Sequence, residues 1–364
     1  LKRFDDRSGA TIRDDLDGRK RYVVRDNKRS RGILAIGIDD EGTRMYTDLT
    51  GEALLDFTSV VREPADFDAF WAETIGRART AAAPVVVSPV DAGLATIDVF
   101  DVTFTGFDGQ PIKAWLRTPT GATDPLPTVI EFIGYGGGRG RPTENLYWAS
   151  AGFAHLYMDT RGQGSTWSRG DTADPVGAGP HYPGFLTRGI ESRESLYYVR
   201  LITDAVRAVD TATELDVVDT ERLAVFGGSQ GGALTIAAAA LHDGVKAAAP
   251  NVPFLCDIER ASGITDAYPY REIADYLAVH RDGVERALDV VAYIDGVNFA
   301  KRATAPARFS AALMDPICPP STVLAARNAW AGPTELAIWR YNGHEGGGPV
   351  DAEEAAAFFR RTLT

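Results

Sequence analysis

Between residues 97 and 105, and again between 112 and 117, apolar and polar positions alternate around the turn Gly106-Phe107-Asp108-Gly109. A period of two on both sides of a glycine-bounded turn predicts a β-hairpin. Further along, the alternation gives way to short apolar runs separated by longer stretches with helical spacing. The runs predict strands over residues 128–133, 154–158, 223–226, 245–249, 307–314 and 335–339. The intervening stretches predict helices over 144–151, 195–214, 233–241, 321–331 and 351–362. Residues 257–297 read as an irregular, largely helical insert, and 171–187 as a Gly/Pro-rich excursion. Upstream, 50–61 is a short helix candidate. Residues 64–75 are a better one, with Pro64 near the start and Phe67, Phe70, Trp71 and Ile75 at helical spacing. Short apolar strands alternating with helices imply an α/β fold with a mostly parallel central sheet flanked by helices on both faces.

Composition sharpens this picture in three places. The chain has 364 residues, 45% of them hydrophobic, enough for one large core. Its net charge of −12 argues against a nucleic-acid partner and favours a neutral or cationic small substrate over a polyanion. Cys256 and Cys318 are the only cysteines, too few for a disulfide framework, and are expected to be buried thiols. No apolar run reaches membrane-spanning length and residues 1–44 contain no apolar signal core, so a cytoplasmic protein without a membrane partner is expected. Those first 44 residues differ from the rest. They are basic on balance, contain only Phe4 and Tyr22 as aromatics, and show one apolar run, at 32–38. Such a segment buries little surface and is expected to be a mobile or loosely docked N-terminal extension to a domain spanning 45–364. Met45 is the first methionine, so the segment reads either as a basic arm or as sequence upstream of the translation start.

Candidate chemistry centres on Gly227-Gly228-Ser229-Gln230-Gly231, between the strand 223–226 and the helix 233–241. This is G-x-S-x-G in the strand–turn–helix context that holds a serine hydroxyl clear of a sheet. Gly227 and Gly231 are required because a side chain at either position would crowd so tight a turn. The Gln230 amide opens the helix, where free N–H groups favour developing negative charge. A serine nucleophile needs a base. Of the five histidines, His155 lies within a strand, His242 and His280 end helices, and His181 sits in the Gly/Pro-rich excursion. His344 follows the last strand in the glycine-rich turn 341–348 and is the favoured base. Asp315, after the strand 307–314 and followed by prolines, is the favoured orienting acid, with Asp295 as the weaker alternative. Asp159 reads as a structural partner of Arg161 or as a loop-fixing residue. The loop 134–140, with five glycines around Tyr135 and Arg139, is placed to give a second oxyanion donor, with Tyr135 as an aromatic wall.

Several motifs together resemble the acetyl xylan esterase/cephalosporin C deacetylase family, carbohydrate esterase family 7, within the α/β-hydrolase superfamily. They are the runs at 159–165, 227–232, 252–256, 295–300, 313–315 with 317–322, and 342–348, in that order along the chain. The resemblance implies an α/β-hydrolase fold and a Ser229–His344–Asp315 triad. It further implies an oxyanion hole from the backbone amides of Tyr135 and Gln230, and a supporting motif containing Arg161 and Gln163. It points to removal of acetyl groups from xylo-oligosaccharides and cephalosporin C without cofactor or metal, in a homo-oligomer, commonly a hexamer. The acyl pocket is expected from Tyr135, the neighbours of Ser229 and the Val252-Pro253 turn. Two positions depart from the family pattern, since Gly136 and Pro316 stand where asparagine is frequent. The competing readings are another α/β-hydrolase, of peptidase or dienelactone type, and a non-catalytic scaffold on the same fold. Removal of residues 1–44 is expected to leave melting temperature and turnover nearly unchanged. A large drop in melting temperature, or loss of the oligomer on gel filtration, would show that the arm is structural.

Overall fold

The computed structural model describes residues 46–364 and two short strands before them, Thr11–Ile12 (β1) and Arg21–Arg25 (β2). The expectation for residues 1–44, including the apolar run 32–38, otherwise falls outside the described residues. The remaining strands are Val86–Val90 (β3), Ile97–Thr105 (β4), Pro111–Pro119 (β5), Leu126–Phe132 (β6), Ala154–Met158 (β7), Val218–Gly228 (β8), Ala247–Asn251 (β9), Ala307–Ala312 (β10) and Thr334–Trp339 (β11). The helices are Gly51–Leu55 (α1), Phe67–Thr80 (α2), Tyr147–Ser150 (α3), Tyr197–Thr213 (α4), Gln230–Leu241 (α5), Ile258–Ile264 (α6), Arg271–Val279 (α7), Val284–Val291 (α8), Gly296–Ala300 (α9), Pro320–Ala329 (α10) and Pro349–Thr362 (α11). Among the described residues no helix is long and apolar enough to cross a membrane.

All the strands join one sheet in the order β1-β2-β11-β10-β9-β8-β6-β7-β5-β4-β3. From β2 to β7 every neighbouring pair is parallel, and the pairs beyond, at both ends, are antiparallel. This is the α/β-hydrolase architecture. The central strands β7, β9 and β10 are buried at every position, as parallel strands covered on both faces must be. Within β8 the two faces separate cleanly. Leu223 and Val225 join the core that includes α4 and α5, while Ala224 and Phe226 pack with Trp148, Phe358 and Phe359 on the other side.

The chain lays down β6, returns to β7 on one side, then crosses to β8 on the other. The carboxyl ends of β6 and β8 therefore flank a topological switch point, where open α/β sheets form their ligand crevice. Between β9 and β10 the helical insert resolves into α6 to α9.

Element boundaries differ from the sequence reading where local backbone chemistry intervenes. The helix expected over 144–151 shrinks to α3, because Asn145 adopts a left-handed φ of 53° and Glu144 caps the Arg141 amide instead. The strand β3 was not expected. It carries Pro89 and is mostly exposed, which suits the edge of the sheet, the place where a missing N–H does least harm.

At the turn after β8 the backbone approaches itself closely. A Cβ on Gly231 would lie 2.1 Å from the carbonyl oxygen of Phe132, and one on Gly227 would lie 2.5 Å from the carbonyl of Gly231. Neither neighbour is a flexible side chain, so the turn cannot absorb a methyl group. Gly231→Ala is expected to destabilise the fold by about 1–3 kcal/mol, the usual cost of overpacking. Gly263→Ala is the control, since a Cβ there meets nothing within 4 Å and alanine favours the helix α6. Equal urea midpoints for the two variants would refute this account of the turn.

Candidate active site

Ser229 sits between β8 and α5 with φ 56° and ψ −119°, a conformation that non-glycine residues rarely adopt. Backbone bonds hold it there. Its amide donates to the carbonyl of Asn251 at 3.0 Å, and its carbonyl accepts from Phe254 and Ala233, each at 3.0 Å. The strained apex is thus tied to the loop after β9 as well as to its own helix. That matches what an exposed nucleophile on a rigid turn requires.

The loops after β10 and β11 are neighbours because those strands pair in parallel along their length. The amide of Met314 donates to the carbonyl of Asn342 at 3.1 Å, which draws the two loops together. Across this junction His344 Nδ1 lies 2.9 Å from Asp315 Oδ2. The other carboxylate oxygen accepts from the amides of Ile317 and Cys318 at 2.8 and 3.0 Å. Asp315 is fully buried, whereas the His344 side chain is 26% exposed, so the imidazole reaches from an anchored acid toward solvent. Pro316, one of the two departures from the family pattern, sits inside this turn without disturbing its two donors.

Ser229 and His344 line one cavity of about 500 Å³, together with Tyr135, Trp167, Val252 and Tyr268. Pro253 is not among the lining residues. It packs against the start of α5, where a Cβ on Gly232 would come within 2.9 Å of its Cα, so Val252 alone of that turn faces the cavity. Trp167 and Tyr268, together with Pro269 and Ile317, are walls that the sequence reading missed. A tryptophan in a glycine-rich loop after a strand end was the available signal for Trp167.

The residues named as oxyanion donors and supports meet in one network. Gln163 is buried. Its Oε1 accepts from the Gly136 amide at 2.6 Å, and its Nε2 donates to Gln230 Oε1 and to the Tyr197 hydroxyl, both at 2.9 Å. Gln230 also accepts from the Tyr198 hydroxyl at 2.9 Å and donates to the carbonyl of Ile133 at 3.0 Å. The carbonyl of Tyr135 accepts from Trp167 Nε1 at 2.8 Å. Among the described residues, no hydrogen bond within the chain engages the backbone amide of Tyr135 or of Gln230. Gly136, the second departure, has φ +79°, and a Cβ there would lie 2.6 Å from Thr166 Oγ1. Asparagine tolerates that backbone angle, but here Thr166 has filled the space.

Arg161 lies deeper. It is fully buried, and its guanidinium pairs with Asp204 through two bonds of 2.5 and 2.7 Å. Burial raises the Asp204 carboxyl above its usual range, against the opposing pull of Arg161. Asp159 proves to be loop-fixing and not a partner of Arg161. It accepts from the amides of Arg139, Thr160 and Asp171 and from the Thr172 hydroxyl. Asp295, the alternative acid, caps α9 and accepts from the amides of Asp257, Ile258 and Val297; burial pushes its carboxyl up to about 7. It belongs to the insert, not to His344.

The other histidines are occupied elsewhere. His155 is buried 3.0 Å from Glu131, His242 lies 2.9 Å from Asp210, and His280 stacks on Tyr276. His181 Nδ1 lies 3.0 Å from the carbonyl of Gly179. Both cysteines are buried and free, and burial pushes both thiols well above their usual range. Asp315, Cys318 and His344 place one ligand atom each within 4.8 Å of one another, the only such group among the described residues. In it the carboxylate and the imidazole already bind each other.

Residues 45–362 match the acetyl xylan esterase family. The chain is 30% identical over 303 residues to the acetyl esterase Axe7A of Xylanibacter ruminicola, covering 78% of this chain but only 64% of that protein's length. Among solved structures, it resembles an acetyl xylan esterase from Paenibacillus sp. R4 with 36% identity and a TM-score of 0.81, over 86% of this chain and 100% of that one. It also resembles acetyl xylan esterase 1 from Thermoanaerobacterium sp. JW/SL YS485, at 28% identity and a TM-score of 0.80, over 87% of this chain and 100% of that one.

The buried pair beneath the site gives a stability test. Asp204→Asn leaves the buried Arg161 guanidinium with only Asp174, 3.4 Å away and shared with Arg200, as counter-charge, and is expected to cost about 3 kcal/mol. Chemical denaturation monitored by tryptophan fluorescence reads this directly. A loss below about 1 kcal/mol, the range of an exposed pair, would mean that the pair does not hold the loop.

Proposed function

The chain belongs to the acetyl xylan esterase family, a family of carboxylic ester hydrolases, and from that premise we propose that it deacetylates small substrates through a Ser229–His344–Asp315 acyl-enzyme mechanism. The observation that carries this reading is the convergence of the strained Ser229 turn and the His344–Asp315 pair on one cavity. Asp315 accepts from Nδ1–H and so leaves Nε2 free to act as the base. The serine oxygen attacks the acetyl carbonyl carbon while its proton passes to His344 Nε2. The tetrahedral oxyanion is received by the amides of Tyr135 and Gln230. Collapse breaks the bond to the alcohol, which leaves with the proton from His344 and an acetylated Ser229 behind. Water then gives its proton to His344 and attacks the acetyl carbon, and the second collapse releases acetate and restores the serine hydroxyl.

The unengaged amides of Tyr135 and Gln230 support the oxyanion assignment. The other polar groups of both residues are tied down, so these two donors are preorganised and need little rearrangement when charge develops. The acyl end of the cavity, bounded by Tyr135 and Val252, suits a methyl group. The side bounded by the exposed Trp167 and Tyr268 leaves room for a larger alcohol. Acetylated xylo-oligosaccharides are therefore the proposed substrates, with the acetoxymethyl group of cephalosporin C as a second that an open alcohol side would admit. A cytoplasmic homo-oligomer, with six subunits as in the family it resembles, is part of the same proposal.

Ser229→Ala is expected to lower kcat by about 10⁴-fold or more with the fold intact, because the triad acts as a unit. Turnover near that of the wild type would sink the assignment. Across p-nitrophenyl acetate, butyrate and octanoate, kcat should fall with chain length. A longer acyl group lifts the carbonyl out of the oxyanion hole, and such misplacement costs on the order of a hundredfold. Equal or rising kcat would indicate a lipase-like groove and would withdraw the deacetylase reading.

A further inference from the structure

Glu272 lies in the first turn of α7, inside the helical insert, and is 2% exposed. Among the described residues it forms no ion pair. Its Oε1 accepts from the Tyr135 hydroxyl at 2.5 Å, and its Oε2 accepts from the amide of Leu186 at 2.8 Å. The Tyr135 oxygen in turn accepts from the amide of Phe185 at 2.7 Å. One buried carboxylate thus ties together the insert, the excursion ending near residue 187 and the loop after β6. The excursion reaches it through Gly184, where φ is +144° and a Cβ would fall 2.4 Å from the carboxyl group. Burial pushes the carboxyl up to about 7, and the titratable groups facing it are the hydroxyls of Tyr135 and Tyr198. A carboxylate buried without a cation is costly to keep, so its retention calls for a role that an apolar side chain could not fill.

We propose that Glu272 is a positioning residue for the oxyanion hole, acting through the Tyr135 side chain on the Tyr135 amide. The inference rests on that amide's proposed role as an oxyanion donor. The phenol ring is a rigid strut, so fixing its hydroxyl fixes the Cα at its other end. The Tyr135 carbonyl is held by Trp167 and the following amide by Gln163. With the hydroxyl held by Glu272, every polar group of the residue is restrained except the N–H that faces the reaction. The ring itself packs edge-on against Phe185 and Phe254, which limits its sideways motion but not its sliding along its own axis. The hydroxyl bond supplies the restraint along that axis. The segment just before α7 also furnishes cavity walls at Tyr268 and Pro269, so the insert sets the donor geometry and the shape of the cavity together.

The test uses the full chain with p-nitrophenyl acetate, in the wild type, Glu272→Gln, Tyr135→Phe and the double variant, each checked for folding by circular dichroism. Glu272→Gln cannot accept from both the hydroxyl and the Leu186 amide, and Tyr135→Phe cuts the same link from the other end. Each single variant should lower kcat by on the order of tenfold or more, with KM within about twofold, since the lost geometry matters in the transition state. The double variant should fall no further than about twofold below the weaker single variant, because both changes break one connection. Folded single variants with wild-type kcat, an effect confined to KM, or multiplicative losses in the double would each overturn the proposal. Should Glu272→Gln fail to fold, Tyr135→Phe decides alone by the same criteria. A wild type that does not hydrolyse the ester would overturn the esterase reading and this proposal with it, whereas an active wild type with unaffected variants would overturn the positioning role alone.

Discussion

Everything at this site depends on how closely two pieces of backbone can approach. Gly231 rests against the carbonyl of Phe132, the last residue of β6, with no room for a side chain between them. That contact brings the turn after β8 against the end of β6. It is why the loop that carries Tyr135 and the turn that carries Ser229 line a single cavity, with the Gln230 amide directly after that serine. A methyl group interposed there would move the Tyr135 amide relative to the Gln230 amide, and the two proposed donors at the wrong spacing could not both bond one oxygen. The strain visible at Ser229 is the local consequence, held in place by the carbonyl of Asn251 and the amide of Phe254.

Around that contact the molecule arranges polar groups in layers that do different work. Nearest the cavity, Gln163 binds the loop of one proposed oxyanion donor with one end of its amide and the side chain of the other with the opposite end. An amide suits this bridge because it accepts and donates at once, which neither a carboxylate nor an ammonium group can do. One layer further in, charge takes over. Arg161 and Asp204 form a buried bidentate pair, and Arg200 adds a 2.8 Å bond to Asp174 beside it. Buried pairs of this kind contribute little net stability against an apolar alternative, but they tolerate only one geometry. Here that geometry sets the loop from which Gln163 projects.

The insert is the third participant. Its helices could have served only as cover for the core, yet α7 contributes Glu272 to the Tyr135 hydroxyl, and the segment before α7 contributes two walls to the cavity. Asp295, whose buried carboxyl accepts from three backbone amides, joins the start of α6 to the start of α9 and so holds the insert to its own base. The strand-end loop after β6 and the insert are therefore joined through the hydrogen bond from Tyr135 to Glu272.

Much of this was legible along the chain. The period-two alternation around 106–109 announced the antiparallel pair β4–β5, and the short apolar runs alternating with helices announced a mostly parallel sheet. The glycines flanking Ser229, the glycine-rich turn at His344 and the proline-bounded Asp315 announced the candidate site, because a local motif carries its own steric reason. The motifs in sequence also pointed to the family to which the chain belongs. Local pattern was misleading at Glu144 and Asn145, where helical spacing was present but the backbone turned left-handed, and at β3, where a proline disguised an edge strand. What sequence could not decide were the partnerships between residues far apart along the chain. Arg161 pairs with Asp204 and not with the nearby Asp159, Tyr135 with Glu272, and Val252 faces the cavity while its neighbour Pro253 turns into α5. Charge and polarity name the residues able to form such bonds. Only the tertiary structure, by fixing which strand ends and loops lie within a few ångströms of each other, selects the partner from among many of equal chemistry.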